Sequence, residues 1–119
     1  MGSDYEPGLH LWLEKNGETV FCQGRALLLE RIRDQGSLRK AAKSLGMSYR
    51  AAWGKLKKTQ DILGFDLVVL TGSSPKHYEL TPRGEEILAA FQAWQEKVQG
   101  YADREADTVF GLCGSSCDN

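Results

Sequence analysis

A mainly α fold with a small β component (α+β) is predicted by this sequence of 119 residues. Three observations predict it. Apolar residues recur at helical spacing in four separate stretches, two pairs of short β-favouring stretches are joined by turn-forming residues, and glycine, serine and Thr-Pro stand where helix caps belong. In chain order the elements are a hairpin, three helices, a second hairpin and a long helix.

Leu9 to Leu13 and Thr19 to Phe21 flank Glu14-Lys15-Asn16-Gly17-Glu18. The Asn-Gly pair supplies the positive backbone dihedrals of a tight hairpin turn. From Gly24 to Gln35 the apolar residues Leu28, Leu29 and Ile32 define a first helix, and Gly36 stands at its C-cap. Ser37 then caps a second helix, two or three turns long, with Leu38, Ala41, Ala42 and Leu45 on one stripe and Gly46 as its stop. Ser48 caps a third helix that runs through Tyr49, Ala52, Leu56 and Leu63 to Gly64. Phe65 to Leu70 and Tyr78 to Leu80 read as strands joined by Thr71-Gly72-Ser73-Ser74-Pro75-Lys76-His77, a wing-like hairpin. Thr81-Pro82 starts the last helix, with Glu85 and Glu86 in the first turn where the helix dipole favours acids, and its pattern extends to about Ala106. Residues 1–106 are thus expected to form one domain whose final helix covers about 82–106, and residues 107–119 a flexible tail.

Two short helices joined by a tight glycine-containing turn, with alanines where they cross, form a helix-turn-helix signature, here Ser37 to Arg50. With the second hairpin it becomes a winged helix-turn-helix. The formal net charge of -1 hides a segregation. Between Gly24 and Arg83 twelve basic residues stand against five acidic ones, a balance of +7, whereas the flanks carry three basic residues and eleven acids, -8. From Arg39 to Lys58 seven positive residues occur without a single carboxylate. A solvated helix face interleaves both signs, so this run points to double-stranded DNA as partner.

At about 100° per residue, Tyr49, Ala52, Trp53, Leu56, Thr59, Gln60 and Leu63 share one side of the third helix, which the core should take. Arg50, Gly54, Lys57 and Asp61 lie opposite, with Lys55 and Lys58 on a flank. Arg50, in the first turn, is the candidate for reaching base edges, because a guanidinium grips guanine with two parallel hydrogen bonds. Ser48 is its neighbour at the groove floor or on a phosphate. Gly54, costly inside a helix, marks either a close approach of the DNA backbone or another helix, or an ordinary surface glycine. Trp53 is assigned to core packing, and Tyr49 to a ring packed inside with its hydroxyl free for DNA. Lys55, Lys57, Lys58, Arg39, Lys40 and Lys43 are assigned to phosphates. In the wing, Ser73, Ser74, Lys76 and His77 are available to the backbone or minor groove. Along the last helix Ile87, Phe91, Trp94, Val98 and Tyr101 form a seam at alternating steps of four and three, suited to a second copy of the chain; the alternative is packing against its own domain.

No paired acid and base, nucleophile with a helper histidine, phosphate-cradling loop or metal-ligand spacing points to an enzyme or a cofactor. No apolar run approaches the roughly 18 residues that cross a bilayer, and Met1 to Glu6 lacks the order of a secretion signal, so the expected location is the cytoplasm. Cys113 and Cys117, separated by glycine and serine, point to free thiols in a flexible tail rather than a metal pair, a disulfide or a thiol switch. The competing reading is a protein-interaction adaptor, using the wing and long helix on an unidentified protein partner.

Leu11-Trp12-Leu13-Glu14-Lys15-Asn16-Gly17, Gly36-Ser37-Leu38-Arg39-Lys40-Ala41-Ala42, Met47-Ser48-Tyr49-Arg50-Ala51-Ala52-Trp53 and Leu80-Thr81-Pro82-Arg83-Gly84 carry a family resemblance. Over about Leu9 to Tyr101 the sequence resembles the N-terminal DNA-binding domain of ModE-type molybdate-responsive regulators and, more distantly, the helix-turn-helix of LysR-type regulators. The resemblance implies a winged-helix dimer in which Ser48, Tyr49 and Arg50 open the recognition helix, on an inverted-repeat operator. It departs from the family in two respects. Family members carry molybdate-binding domains after the long helix, where this sequence ends, and the wing has Gly72 to His77 in place of the usual glycine-rich run.

Overall fold

The computed structural model describes residues 5–72 and 77–111, and its backbone forms two compact units. The larger, Leu11–Phe91, contains the helix-turn-helix. It begins with an antiparallel hairpin of β1 (Trp12–Lys15) and β2 (Glu18–Cys22), whose turn places Asn16 at φ 53° and Gly17 at φ 83°. Glu14, Lys15 and Glu18, expected in the turn, belong to the strands: Lys15 pairs with Glu18, so two residues suffice for the connection. A register shift between Leu13 and Glu14 leaves Val20 as an extra residue on β2. The bulge lets two sequence neighbours, Val20 and Phe21, both turn inward, at 6% and 0% exposure.

Helix α1 (Gln23–Gln35) ends on Gly36 at φ 66°, whose N–H donates to the Ile32 carbonyl. In α2 (Leu38–Ser44) the Ser37 hydroxyl accepts from the Lys40 N–H, and in α3 (Tyr49–Leu63) the Ser48 hydroxyl accepts from the Ala51 N–H. Both caps fall where the sequence places them, each satisfying a donor that the first turn leaves orphaned. Gly46, at φ 73°, turns the chain between α2 and α3. Ala41, Ala42 and Ala52 are buried to 1% exposure or less, as small residues at a crossing must be.

The second hairpin pairs β3 (Val68–Thr71) with β4 (His77–Leu80), Val68 opposite Leu80 and Thr71 opposite His77. The Gln60 side-chain carbonyl accepts from the N–H groups of Leu67 and Val68 at 2.8 and 3.3 Å, stitching the end of α3 to the start of β3. Thr81 donates its hydroxyl to the Asp66 carbonyl and accepts from the Gly84 N–H. That cap begins α4 (Pro82–Phe110), which runs four residues past the expected end. Gly84 is buried because the helix passes directly over the backbone of Leu67: a Cβ there would run into the Leu67 carbonyl oxygen.

Phe21, Leu28, Leu29, Ile32, Leu38, Leu56, Leu67 and Leu88 are the large apolar side chains buried below 2% exposure. Each contributes about 1.5–3 kcal/mol of burial relative to exposure. Phe91 joins them, its ring edge-on to Phe21 with centroids 5.1 Å apart. Phe91 is therefore taken up by the core of its own chain, as the alternative reading of the seam had it. In the smaller unit, Met1–His10 with Gln92–Asn119, the Gln99 amide donates to the Pro7 carbonyl and to Asp103, and Tyr101, Val109 and Phe110 are 60–70% exposed. Cys113 and Cys117 lie outside the described residues. Among the described residues no helix is long and apolar enough to cross a membrane.

Candidate nucleic-acid interface

Helix α3 divides much as its periodicity predicts. Ala52, Leu56 and Thr59 are buried, and Arg50, Gly54, Lys57 and Asp61 are exposed on the other side with Lys55 and Lys58 beside them. The boundary residues depart from expectation. Trp53 is 39% exposed and Tyr49 38%. Trp53, assigned to the core, sits at the rim instead, because the buried stripe needs only the small Ala52 next to it where α2 crosses.

The Arg50 guanidinium is exposed and forms no ion pair or hydrogen bond with another described residue. Ser48 already uses its hydroxyl as a cap acceptor, which holds the first turn and so the base of the Arg50 side chain. The other positive groups differ in how they are held. Lys57 faces Asp61 one turn on at 3.5 Å, and Lys58 faces Glu18 of β2 at 3.9 Å. All four of these side chains are more than half exposed, so each pair contributes well under about 1 kcal/mol and is screened by salt. A polyanion can displace such partners. Lys40 and Lys43 on α2 are exposed, and the Lys55 carbonyl, not its ammonium, is engaged, accepting from Arg25 Nε at 3.4 Å. A methyl group at Gly54 would meet no atom within 4 Å among the described residues, and nothing among those residues explains a glycine there.

Tyr49 departs further from expectation. Its hydroxyl lies 3.5 Å from that of Tyr78 on β4, while the Arg39 guanidinium of α2 sits 5.0 Å above its ring centroid. The neighbouring Tyr49 hydroxyl, aided by partial burial, pushes the Tyr78 phenol up to about 12, so Tyr78 stays protonated and able to donate at neutral pH. Tyr78 is held in place through its backbone, its N–H donating to the Gly36 carbonyl at 2.9 Å. The His77 ring rests on Gly36 itself, where a Cβ would collide with it. One glycine thus caps α1 in the left-handed region and also gives β4 a seat. Tyr78 was missed by sequence reasoning, since strand alternation says which residues share a face but not which helix that face meets. Ser73, Ser74 and Lys76 lie outside the described residues.

On the seam of α4, Ile87, Trp94 and Val98 are half-buried, Phe91 is in the core and Tyr101 is exposed beneath the Arg104 guanidinium. Among the described residues no group of three His, Cys, Asp or Glu side chains is placed to hold a metal ion.

Comparison with known proteins bears on this surface. The sequence profile of the bacterial regulatory helix-turn-helix proteins, lysR family, matches residues 25–85. A molybdenum transport protein, ModE, of Azotobacter vinelandii is 30% identical over 104 residues, 86% of this chain and 38% of that protein. A molybdenum-pterin-binding protein, MopB, of Rhodobacter capsulatus is 34% identical over 83 residues, 68% of this chain and 30% of that protein. The chain therefore spans about a third of the length of these curated relatives.

Proposed function

The chain belongs to the bacterial regulatory helix-turn-helix proteins of the lysR family, and from that membership we propose that it is a ModE-like transcriptional regulator binding a specific double-stranded operator as a dimer. The reading is carried by one observation: Arg50 stands exposed and unpaired among the described residues in the first turn of α3, on a face flanked by Arg39, Lys40, Lys43, Lys55, Lys57 and Lys58. Arg50 reads a base edge in the major groove, with Ser48 and Tyr49 beside it. The lysines and Arg39 neutralise phosphates, and the wing residues Ser73, Ser74 and Lys76 reach the flanking backbone. Gly54 leaves room for the DNA backbone.

Pairing of two chains through Trp94, Val98 and Tyr101, with Ile87 at the edge, sets two recognition helices about one DNA turn apart and so matches an inverted repeat. In this reading the protein acts in the cytoplasm on genes of molybdenum metabolism, a reading supported by its likeness to proteins named for molybdenum transport and molybdenum-pterin binding.

Binding to duplex DNA at rising salt tests this. Affinity should fall by orders of magnitude between low and high salt, as counterion release requires when several phosphates are contacted. Lys57→Ala should weaken binding to all sequences alike. Arg50→Ala should remove about 1–3 kcal/mol of preference for the site recovered by selection from genomic fragments. An adaptor that binds protein through the wing and long helix would show neither effect, and salt-independent affinity would overturn the proposal.

A further inference from the structure

Three elements converge on the rim of the α3 face. Tyr49 comes from the first turn of α3, Arg39 from the first turn of α2, and Tyr78 from β4. Each backbone is held by a hydrogen bond of its own: Ser48 caps α3, Ser37 caps α2, and the carbonyl of Gly36, next to Ser37, holds the Tyr78 N–H. The three side chains are thus brought together before any ligand arrives.

The chemistry of the cluster is unfinished. Two phenols 3.5 Å apart are well beyond the roughly 2.7–2.8 Å of a good O–H···O bond, so their mutual hydrogen bond is slack. Even if one hydroxyl donates to the other, the pair keeps one O–H donor unspent. The Arg39 guanidinium meets Tyr49 through its face, which leaves the N–H groups on its rim uncommitted, and it has no ion pair among the described residues. The cluster therefore presents a cation and hydroxyl donors at one exposed point, with no carboxylate held against it by any ion pair in the described structure. What it lacks is a strong acceptor of about the size to bridge two hydroxyls and a guanidinium.

We propose that Tyr78, Tyr49 and Arg39 together clamp one phosphodiester of the DNA backbone, so that a single phosphate ties the wing strand, the recognition helix and α2 into one register on the duplex. This rests on the DNA-binding reading above and adds Tyr78 to it as a direct phosphate ligand. The non-bridging oxygens accept from the phenols and from the guanidinium rim. The contact carries no base information and positions Arg50, which follows Tyr49 directly in the chain.

The test uses the intact chain and a fluorescent mixed-sequence duplex, with Tyr78→Phe, Tyr49→Phe, the double variant and Arg39→Gln, each paired with a thermal melt. Tyr78→Phe should weaken binding to every sequence by about 10- to 150-fold, the scale of one hydrogen bond to a charged acceptor. It should leave the melting temperature and the salt slope unchanged, because a hydroxyl displaces no counterion. Arg39→Gln should flatten the slope of log K against log salt by about 0.9, one phosphate's worth. The double tyrosine variant should lose less than the product of the single losses, since both hydroxyls serve one phosphate. Wild-type affinity in Tyr78→Phe, or a binding loss matched by a fall in melting temperature, would overturn the clamp while leaving DNA binding standing. Failure of the wild-type chain to bind duplex at low salt would overturn the DNA-binding reading and the clamp with it.

Discussion

Two glycines inside helices, Gly54 and Gly84, make opposite predictions for the same substitution. Replacing a helical glycine by alanine contributes up to about 1 kcal/mol through backbone entropy when the new methyl group has room. At Gly54 it has room: the residue is exposed and no described atom lies within 4 Å of the added carbon. Gly54→Ala should therefore stabilise by about 0.5–1 kcal/mol. At Gly84 the same carbon would lie 3.1 Å from the carbonyl carbon and 3.3 Å from the Cα of Leu67, and closer still to its oxygen. These are backbone atoms that no rotamer change can move. They are held by the Thr81 N–H bond to the Leu67 carbonyl at 2.9 Å and by the Thr81 hydroxyl on the Asp66 carbonyl at 2.7 Å. Relief requires lifting the start of α4 off β3, an overpacking cost of about 1–3 kcal/mol that also strains those bonds. The clash outweighs the propensity gain, and Gly84→Ala should lose about 2 kcal/mol.

Urea denaturation followed by circular dichroism measures both variants, with a changed midpoint at constant m as the sign of a pure stability effect. At about 4 °C per kcal/mol for a chain near this size, melting should fall by about 8 °C for Gly84→Ala and rise by about 2–4 °C for Gly54→Ala. A neutral or stabilised Gly84→Ala would refute the close-approach argument. The Gly54 variant should bind duplex DNA several-fold more weakly although it is more stable, which an ordinary surface glycine would not do.

Thr59→Val should be neutral or stabilising by up to about 1 kcal/mol, because the Thr59 hydroxyl is fully buried and has no hydrogen-bond partner among the described residues; a loss above that on chemical denaturation would show that the hydroxyl is satisfied. Glu18→Gln releases Lys58 from its 3.9 Å partner and should tighten binding to any duplex by a few-fold at low salt, with the gain vanishing at high salt. The Tyr78 phenol, raised to about 12 in the folded state, disfavours the phenolate there, so stability should be level with pH below about 10 and should fall as pH rises from there to about 12. The difference between wild-type and Tyr78→Phe absorbance titrations at the phenolate band should accordingly have its midpoint near 12, and a midpoint near 10 would show the two hydroxyls to be uncoupled.

The parts of this molecule that were legible in its sequence are those decided within a few residues. Gly36, Ser37, Ser48 and Thr81 stop or start helices through bonds to groups no more than four positions away, and Asn16-Gly17 turns the first hairpin by its own dihedrals. The face of α3 carrying Arg50 and Lys57 was legible for a similar reason, since a 3.6-residue period assigns sides without reference to any partner. Periodicity failed at the margins. Trp53 lies on the apolar side of the helical wheel and still emerges at the rim, and Phe91 fits a seam for a second chain and is instead spent on Phe21. A wheel gives the angle of a residue, not how far the neighbouring element extends over it.

Chain-local chemistry alone therefore determined the order of elements, their caps and the segregation of positive charge onto α2 and α3. Only the packing decided that β4 lies against Gly36, bringing Tyr78 to Tyr49 across 29 positions of sequence, and that Leu67 passes under Gly84. The physical reason is one of range. Dihedral preferences and capping bonds act over a single turn, whereas contacts between distant segments depend on which apolar surfaces cover one another best, and that choice is made by the whole core at once.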